Sequence, residues 1–420
     1  VLLLIGITAI TYFAARHIEQ NNRNKRGIIY ASVTLTLLPL LIFKYYNFIN
    51  TTITEILTGI GFHWNLPGLN WAIPVGISFF TFQALGYLWD VYYGRIKAER
   101  NWWDYMLFVS FFPQIASGPI SKAADLLPQI KAERAFNYGK AVQGLKWLLW
   151  GMFLKVVLAD RLGLYVDSVY NNYTHQSGLS CLVASIFYSF QIYGDFAGYS
   201  LMAIGTGRLL GFDLINNFNR PYLSVSVTEF WRRWHISLSI WLKDYIYIPL
   251  GGSRCSKLRN YWNILITFLI SGVWHGANWT FIVWGILHGI FQIIEKALNL
   301  QKSTTKGGIR IFRIFITFCL VNFAWIFFRL PDIKTAWKVI EKIFTDLSTE
   351  LFLPSKSNLA FILLSLSIVI IKELMEEFYP NKLNLFESKK RVIRWCTYIA
   401  VLTIILCGLC ASGQFIYVNF

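Results

Sequence analysis

The chain has 420 residues, 55% of them hydrophobic and only 15% charged, well below the roughly 25% charged residues of a soluble domain. Lys plus Arg exceeds Asp plus Glu by 39 − 22 = 17, an excess that would point to nucleic acid in a soluble protein. Here the basic residues gather in short loops between apolar segments, as in RHIEQNNRNKR (16–26), RCSKLR (254–259) and ESKKRVIR (387–394), the pattern of cytoplasmic loops lying against anionic lipid, and nucleic acid is not an expected partner. Long uncharged runs also exclude a β-barrel, whose strands alternate. The expected class is an all-α polytopic membrane protein with about nine to eleven transmembrane or re-entrant helices in a single membrane domain over residues 1–420.

Residues 1–15 read as part of a span; with no basic n-region or small-residue cleavage site they are not a signal peptide, and further spans are expected upstream. Ile28–Phe43 is the next span, with Lys44, Tyr45, Tyr46 and Phe48 at its edge, followed by a polar connection to about Trp71. Ile73–Trp89 is apolar but contains Pro74, Gly76, Gln83 and Gly86, predicting a kinked or partly re-entrant helix. Trp102–Ala116 is short, and Pro113, Gly118, Pro119 and Pro128 forbid a continuous helix after it. Lys140–Ala159 is a span. Gly178–Gly207 holds one charge, Asp195, costly at membrane depth unless it faces protein or water; Gly194 and Gly198 form a GxxxG that permits close helix approach. A polar hinge, LGFDLINNFNRPYLSVS, leads to a helix that Ser226 or Thr228 is placed to cap. Ile314–Phe328, Asn358–Ile371 and Trp395–Val418 are the last spans, with an amphipathic surface stretch over 329–357.

The most informative stretch is 229–289. From Asn260 to Ile294 there is no Asp, Glu, Lys or Arg in 35 consecutive residues. One straight helix of that length would measure about 52 Å at about 1.5 Å per residue, against a hydrocarbon core of about 30 Å. The run must therefore break, and Gly272–Asn278 is the expected place. His275 lies in that break, and an imidazole there is a functional candidate, although a histidine bonded only to backbone would read the same way. Asn278, three residues on, is close enough on one helical face to orient the ring. His235 sits in FWRRWHIS, read as an amphipathic interfacial helix with Arg232 one turn before and Ser239 one turn after. His288 follows His275 by thirteen positions, about 220° further round a continuous helix, and is expected to face away in a structural role. His17, His63 and His175 read as solvated loop residues. The six cysteines read as packing residues, neither a disulfide frame nor a metal site. GxSxG, HExxH and Walker A patterns are absent. What remains is a general base in or near a membrane, of the kind that removes a proton from an acceptor hydroxyl.

Six phrases together resemble the membrane-bound O-acyltransferase (MBOAT) family in its bacterial alginate O-acetyltransferase-like branch: PVGISFFTFQALGYLWDVYYG, FVSFFPQIASGPI, FQIYGDFAGYSLMAIGTGRLLGF, NFNRPYLSVSVTEFWRRWHISLSIWLKDYIYIPLGGSR, GVWHGANWTFIVWGILHG and the terminal FIYVNF. They cover most of 70–290 and the C-terminus. The resemblance implies a central catalytic funnel, with His275 in the position of the family's catalytic histidine and His235 in that of the branch's second histidine. Asp195, Arg232, Trp274 and Asn278 stand in matching motifs and are carried as substrate-binding candidates. It further implies acetyl-CoA as donor, no metal and a bacterial inner (cytoplasmic) membrane location. An extracytoplasmic acetyltransferase partner and a polysaccharide acceptor are also implied. The imidazole would act either as base or as acyl carrier. Two other readings compete: a non-catalytic acyl or lipid transporter or scaffold, and a family member acting on a lipid, protein or teichoic acid.

Overall fold

The computed structural model describes residues 1–21, 24–62, 66–301, 307–379 and 385–409; His63, Cys410 and the terminal FIYVNF lie outside these. The described residues are helical with no strand. In order the helices are α1 (Leu2–Gln20), α2 (Lys25–Leu40), α3 (Tyr46–Gly59), α4 (Ile77–Tyr92), α5 (Trp102–Val109), α6 (Phe112–Ile115), α7 (Ala123–Lys131), α8 (Tyr138–Met152) and α9 (Asp160–Tyr170). They continue with α10 (Gly178–Leu209), α11 (Val227–Arg233), α12 (Ile236–Leu242), α13 (Lys257–His275), α14 (Trp279–Ala297), α15 (Gly308–Arg329), α16 (Ile333–Thr345), α17 (Lys356–Phe378) and α18 (Arg391–Gly408). A π-helical turn, Leu41–Tyr45, joins α2 to α3, and another, Phe153–Ala159, joins α8 to α9. Helix therefore runs through to Gly59 where the sequence reading ended a span at Phe43, and through to Tyr170 where it ended one at Ala159.

Among the described residues six segments are long and apolar enough to cross a membrane: Leu2–Gln20, Lys25–Gly59, Tyr138–Tyr170, Gly308–Arg329, Lys356–Phe378 and Arg391–Gly408. The protein is a multi-pass membrane protein. Further helices pack against these spans, α4 against α1 and α2, α10 against α8, and α14 against α15, while the spans themselves number six among the described residues, against the expected nine to eleven transmembrane or re-entrant helices. Fourteen of the sixteen residues of α4 are buried, which explains its apolar composition without lipid contact.

Glycines set the closest helix contacts. Along the α8–α10 seam, a Cβ on Gly144 would stand 2.6 Å from the Gly205 carbonyl oxygen, and one on Gly151 2.6 Å from that of Gly198. The GxxxG of α10 thus packs backbone to backbone, as the spacing predicts. The amphipathic stretch narrows to α16, whose Ala336, Val339 and Ile340 are buried while Trp337 and Phe344 point outward. Cys181 is buried, but Cys319, Cys396 and Cys407 are exposed on outer helix faces, so only some of the cysteines are packing residues. The five described cysteines are free.

Candidate active site

Ser256 starts α13 by accepting a hydrogen bond from Arg259 N, and the helix ends at His275. The backbone leaves the helix at Gly276 and Ala277, inside the predicted break. Asn278 then starts α14, its Oδ1 accepting from Thr280 N at 3.0 Å. The two helices fold back on each other because small residues face each other. A Cβ on Gly272 would stand 2.3 Å from the Phe281 carbonyl oxygen, and one on Gly285 2.4 Å from that of Phe268. The hairpin changes the place of His288. Instead of facing away, His275 and His288 both pack edge-on against Trp284, each with ring centroids 4.9 Å away. The 220° separation holds only for a straight helix, and the break removes it. His288 Nδ1 accepts from Trp231 Nε1 at 3.2 Å, so its ring proton sits on Nε2.

His235 departs from its predicted setting. The helix through FWRRWHIS is interrupted: α11 ends at Arg233, and His235 adopts φ 43° before α12 begins. The ring is fully buried and not interfacial. The cause is Asn217, on the polar hinge. Its Oδ1 accepts from Ser237 N at 3.1 Å and Ser237 Oγ at 2.9 Å, while its carbonyl accepts from Ile236 N at 3.0 Å. These bonds cap α12 from outside, since His235 supplies no cap of its own. The same Oδ1 lies 3.3 Å from His235 Nδ1. An oxygen already accepting two hydrogen bonds calls for a donor there, which assigns the proton to Nδ1 and leaves the Nε2 lone pair open. His235 Nε2 has no hydrogen-bond partner among the described residues.

The rings of His235 and His275 lie 6.5 Å apart, centroid to centroid. Trp274 stands beside both, at 5.8 Å and 4.9 Å, and Phe79 and Phe196 pack on His235. Of the six predicted residues, the fold therefore brings His275, His235 and Trp274 together. The other three stand apart. Asp195 is buried in the α8–α10 seam, paired with Lys155 at 2.8 Å, and Lys155 also binds Asp160 at 2.6 Å. Asn278 caps α14, and its Nδ2 donates to the Pro331 carbonyl at 2.6 Å. It does not orient the His275 ring, because its side chain turns toward α16. Arg232 is exposed on the wall of a cavity.

That cavity, about 480 Å³, lies between α11–α12 and the α13–α14 hairpin. Arg232, Lys243 and Lys296 line it, as does Ser271, a buried residue one helical turn before His275. The Ser271 hydroxyl has no hydrogen-bond partner among the described residues. A second cavity, about 290 Å³, reaches Asn217 from between α8, α10 and α17. Among the described residues no three His, Cys, Asp or Glu side chains stand close enough to hold a metal ion. Sequence reasoning missed Asn217 and Ser271. The hinge was visible as a polar segment, but the uncapped helix start that gives Asn217 its task was not.

Comparison with known proteins decides the family. Residues 101–333 match the membrane-bound O-acyltransferase family, more than half of the chain. The chain belongs to that family. It is an acyltransferase. It is 38% identical over 361 residues to the probable alginate O-acetylase AlgI of Pseudomonas aeruginosa, covering 85% of this chain and 68% of the relative. It is 38% identical over 372 residues to a peptidoglycan O-acetyltransferase of Helicobacter pylori, covering 81% and 69%. The teichoic acid D-alanyltransferase of Streptococcus thermophilus is 29% identical over 336 residues, covering 74% and 77%. The chain thus spans about two thirds of the length of the two O-acetylating relatives.

Proposed function

We propose that this acyltransferase takes acetyl from acetyl-CoA on the cytoplasmic side of a bacterial inner membrane and delivers it outward for O-acetylation of a polysaccharide. The observation that carries the reading is the pair of buried imidazoles 6.5 Å apart, one turn beyond a cavity with three cations on its wall. The basic end of the molecule supports the orientation. Lys257 begins α13 there and Lys296 ends α14 there, and basic loops favour the cytoplasm. His275 lies about 27 Å further along α13 at about 1.5 Å per residue, so a donor entering the cavity points its acyl end toward the histidines. Arg232, Lys243 and Lys296 suit the phosphates of a nucleotide thioester, and Ser271 is placed to donate to its carbonyl oxygen.

In the proposed reaction His275 removes the proton of the acceptor hydroxyl as its oxygen attacks the thioester carbon. The new C–O bond forms, the C–S bond breaks, and the proton passes to the leaving thiolate, releasing free CoA. His235, with Nε2 open, relays that proton. The acceptor is proposed to come from the other end, where Asn278 and Pro331 lie, either as the polymer or through an extracytoplasmic transferase. The test is purified protein in liposomes with acetyl-labelled acetyl-CoA and a hydroxyl acceptor. Release of free CoA with label on the acceptor supports an enzyme of this kind. Movement of intact label with no CoA release would identify a transporter instead.

A further inference from the structure

The last turn of α13 presents three backbone carbonyls, Val273 to His275, that the helix leaves without intrahelical partners, its final i→i−4 bond running from Gly276 N to Gly272 O at 3.4 Å. All three are satisfied from one place. Val273 O accepts from the Tyr45 hydroxyl at 2.5 Å. Trp274 O and His275 O both accept from Lys44 Nζ, at 2.6 Å and 3.2 Å. Lys44 also reaches Ser78 Oγ on α4 at 3.4 Å, and its ammonium lies 5.9 Å from the centre of the Trp274 ring. An ammonium has three donors and no acceptor, and here it finds three oxygens. Lys44 is 8% exposed and has no carboxylate partner among the described residues. A cation buried without a counter-charge is costly, but the end of a helix is where one is favoured.

Both side chains come from the π-helical turn Leu41–Tyr45, just after Pro39, which has no N–H to give the α2 ladder. Such turns recur at functional sites because they re-aim side chains. The sequence reading put Lys44 and Tyr45 at the edge of a span, where a lysine snorkels to water. Both are instead buried against the helix end that carries His275.

We propose that Lys44, with Tyr45, is a positioning residue for acyl transfer: it fixes the carbonyls of Trp274 and His275 and so holds the His275 imidazole at its reacting angle. This rests on reading His275 as the base. Misplacement of a reacting group by about 1 Å costs on the order of a hundredfold in rate. Lys44→Met, Lys44→Arg, Tyr45→Phe and His275→Ala are compared in liposomes with acetyl-labelled acetyl-CoA, each normalised to folded protein. Lys44→Met is expected to lower kcat by about ten- to a hundredfold with KM for acetyl-CoA unchanged, and Lys44→Arg to recover part of it. Tyr45→Phe, which deletes one hydrogen bond, is expected to lower kcat a few-fold with the same split, and it decides the matter if Lys44→Met does not fold. Unchanged kcat per folded molecule in Lys44→Met and Tyr45→Phe, beside an inactive His275→Ala, would overturn the positioning role and leave the base in place. Full turnover by His275→Ala would remove the base itself.

Discussion

Two glycine-lined seams in this molecule keep a polar side chain deep in apolar surroundings, and they treat it differently. In the α8–α10 seam Asp195 faces Lys155, which binds Asp160 as well, so the charges compensate one another inside the protein. In the α13–α14 hairpin His275 stands among Trp274, Trp284 and Phe328, with a second imidazole as its polar neighbour. A buried charge demands an ion partner, whereas an imidazole can stay neutral there and still accept a proton. The first seam reads as architecture and the second as chemistry, although the sequence offers both as polar anomalies beside glycines.

That contrast can be broken by substitution. The largest effect is expected from His275→Ala, a loss of about 10²- to 10⁴-fold in acetyl transfer, with protein level in the membrane unchanged. Asp195→Asn is expected to act in the opposite sense. It takes one carboxylate from the half-buried Lys155 and lowers stability by up to about 3 kcal/mol, measured as thermal unfolding in detergent, while activity per folded molecule is preserved. A loss of turnover at full stability would move Asp195 into the site. Asn217→Leu sharpens the comparison from the other side. It removes the acceptor shared by His235 and Ser237, costing about 1–3 kcal/mol, and turnover per folded molecule is expected to fall about tenfold because His235 loses its tautomer; unchanged turnover would make Asn217 a helix cap alone. Arg232→Ala is the smallest, raising KM for acetyl-CoA a few-fold through the loss of one exposed charge, on the order of 1 kcal/mol. An altered kcat with unchanged KM would contradict that placement.

Much of this was legible in the residues. The uncharged run 260–294 forces a break by length alone, and the break falls where the glycines put it. The GxxxG of α10 predicts a backbone contact, and Ser226 caps α11 through Glu229 N at 3.0 Å. Legibility failed where a residue answers to something distant in sequence. His235 has an amphipathic neighbourhood, but Asn217, eighteen positions earlier, breaks its helix and buries it. Asn278 sits three residues from His275 and yet binds Pro331, because a helix start needs its side chain more than the ring does. Lys44 carries the signature of a span edge, and only the end of α13, some 230 residues away, explains its burial. Helical spacing reports neighbours within one helix and is silent about what crosses between helices.

The most direct measurement is a density map of the full chain bound to a non-hydrolysable acetyl-CoA analogue. The reading predicts the nucleotide phosphates beside Arg232, Lys243 and Lys296, the chain passing Ser271, and the acyl carbon beside the His275 ring with room between them for the attacking hydroxyl. An analogue lodged in the second cavity beside Asn217, or one whose acyl end stops short of both histidines, would contradict it.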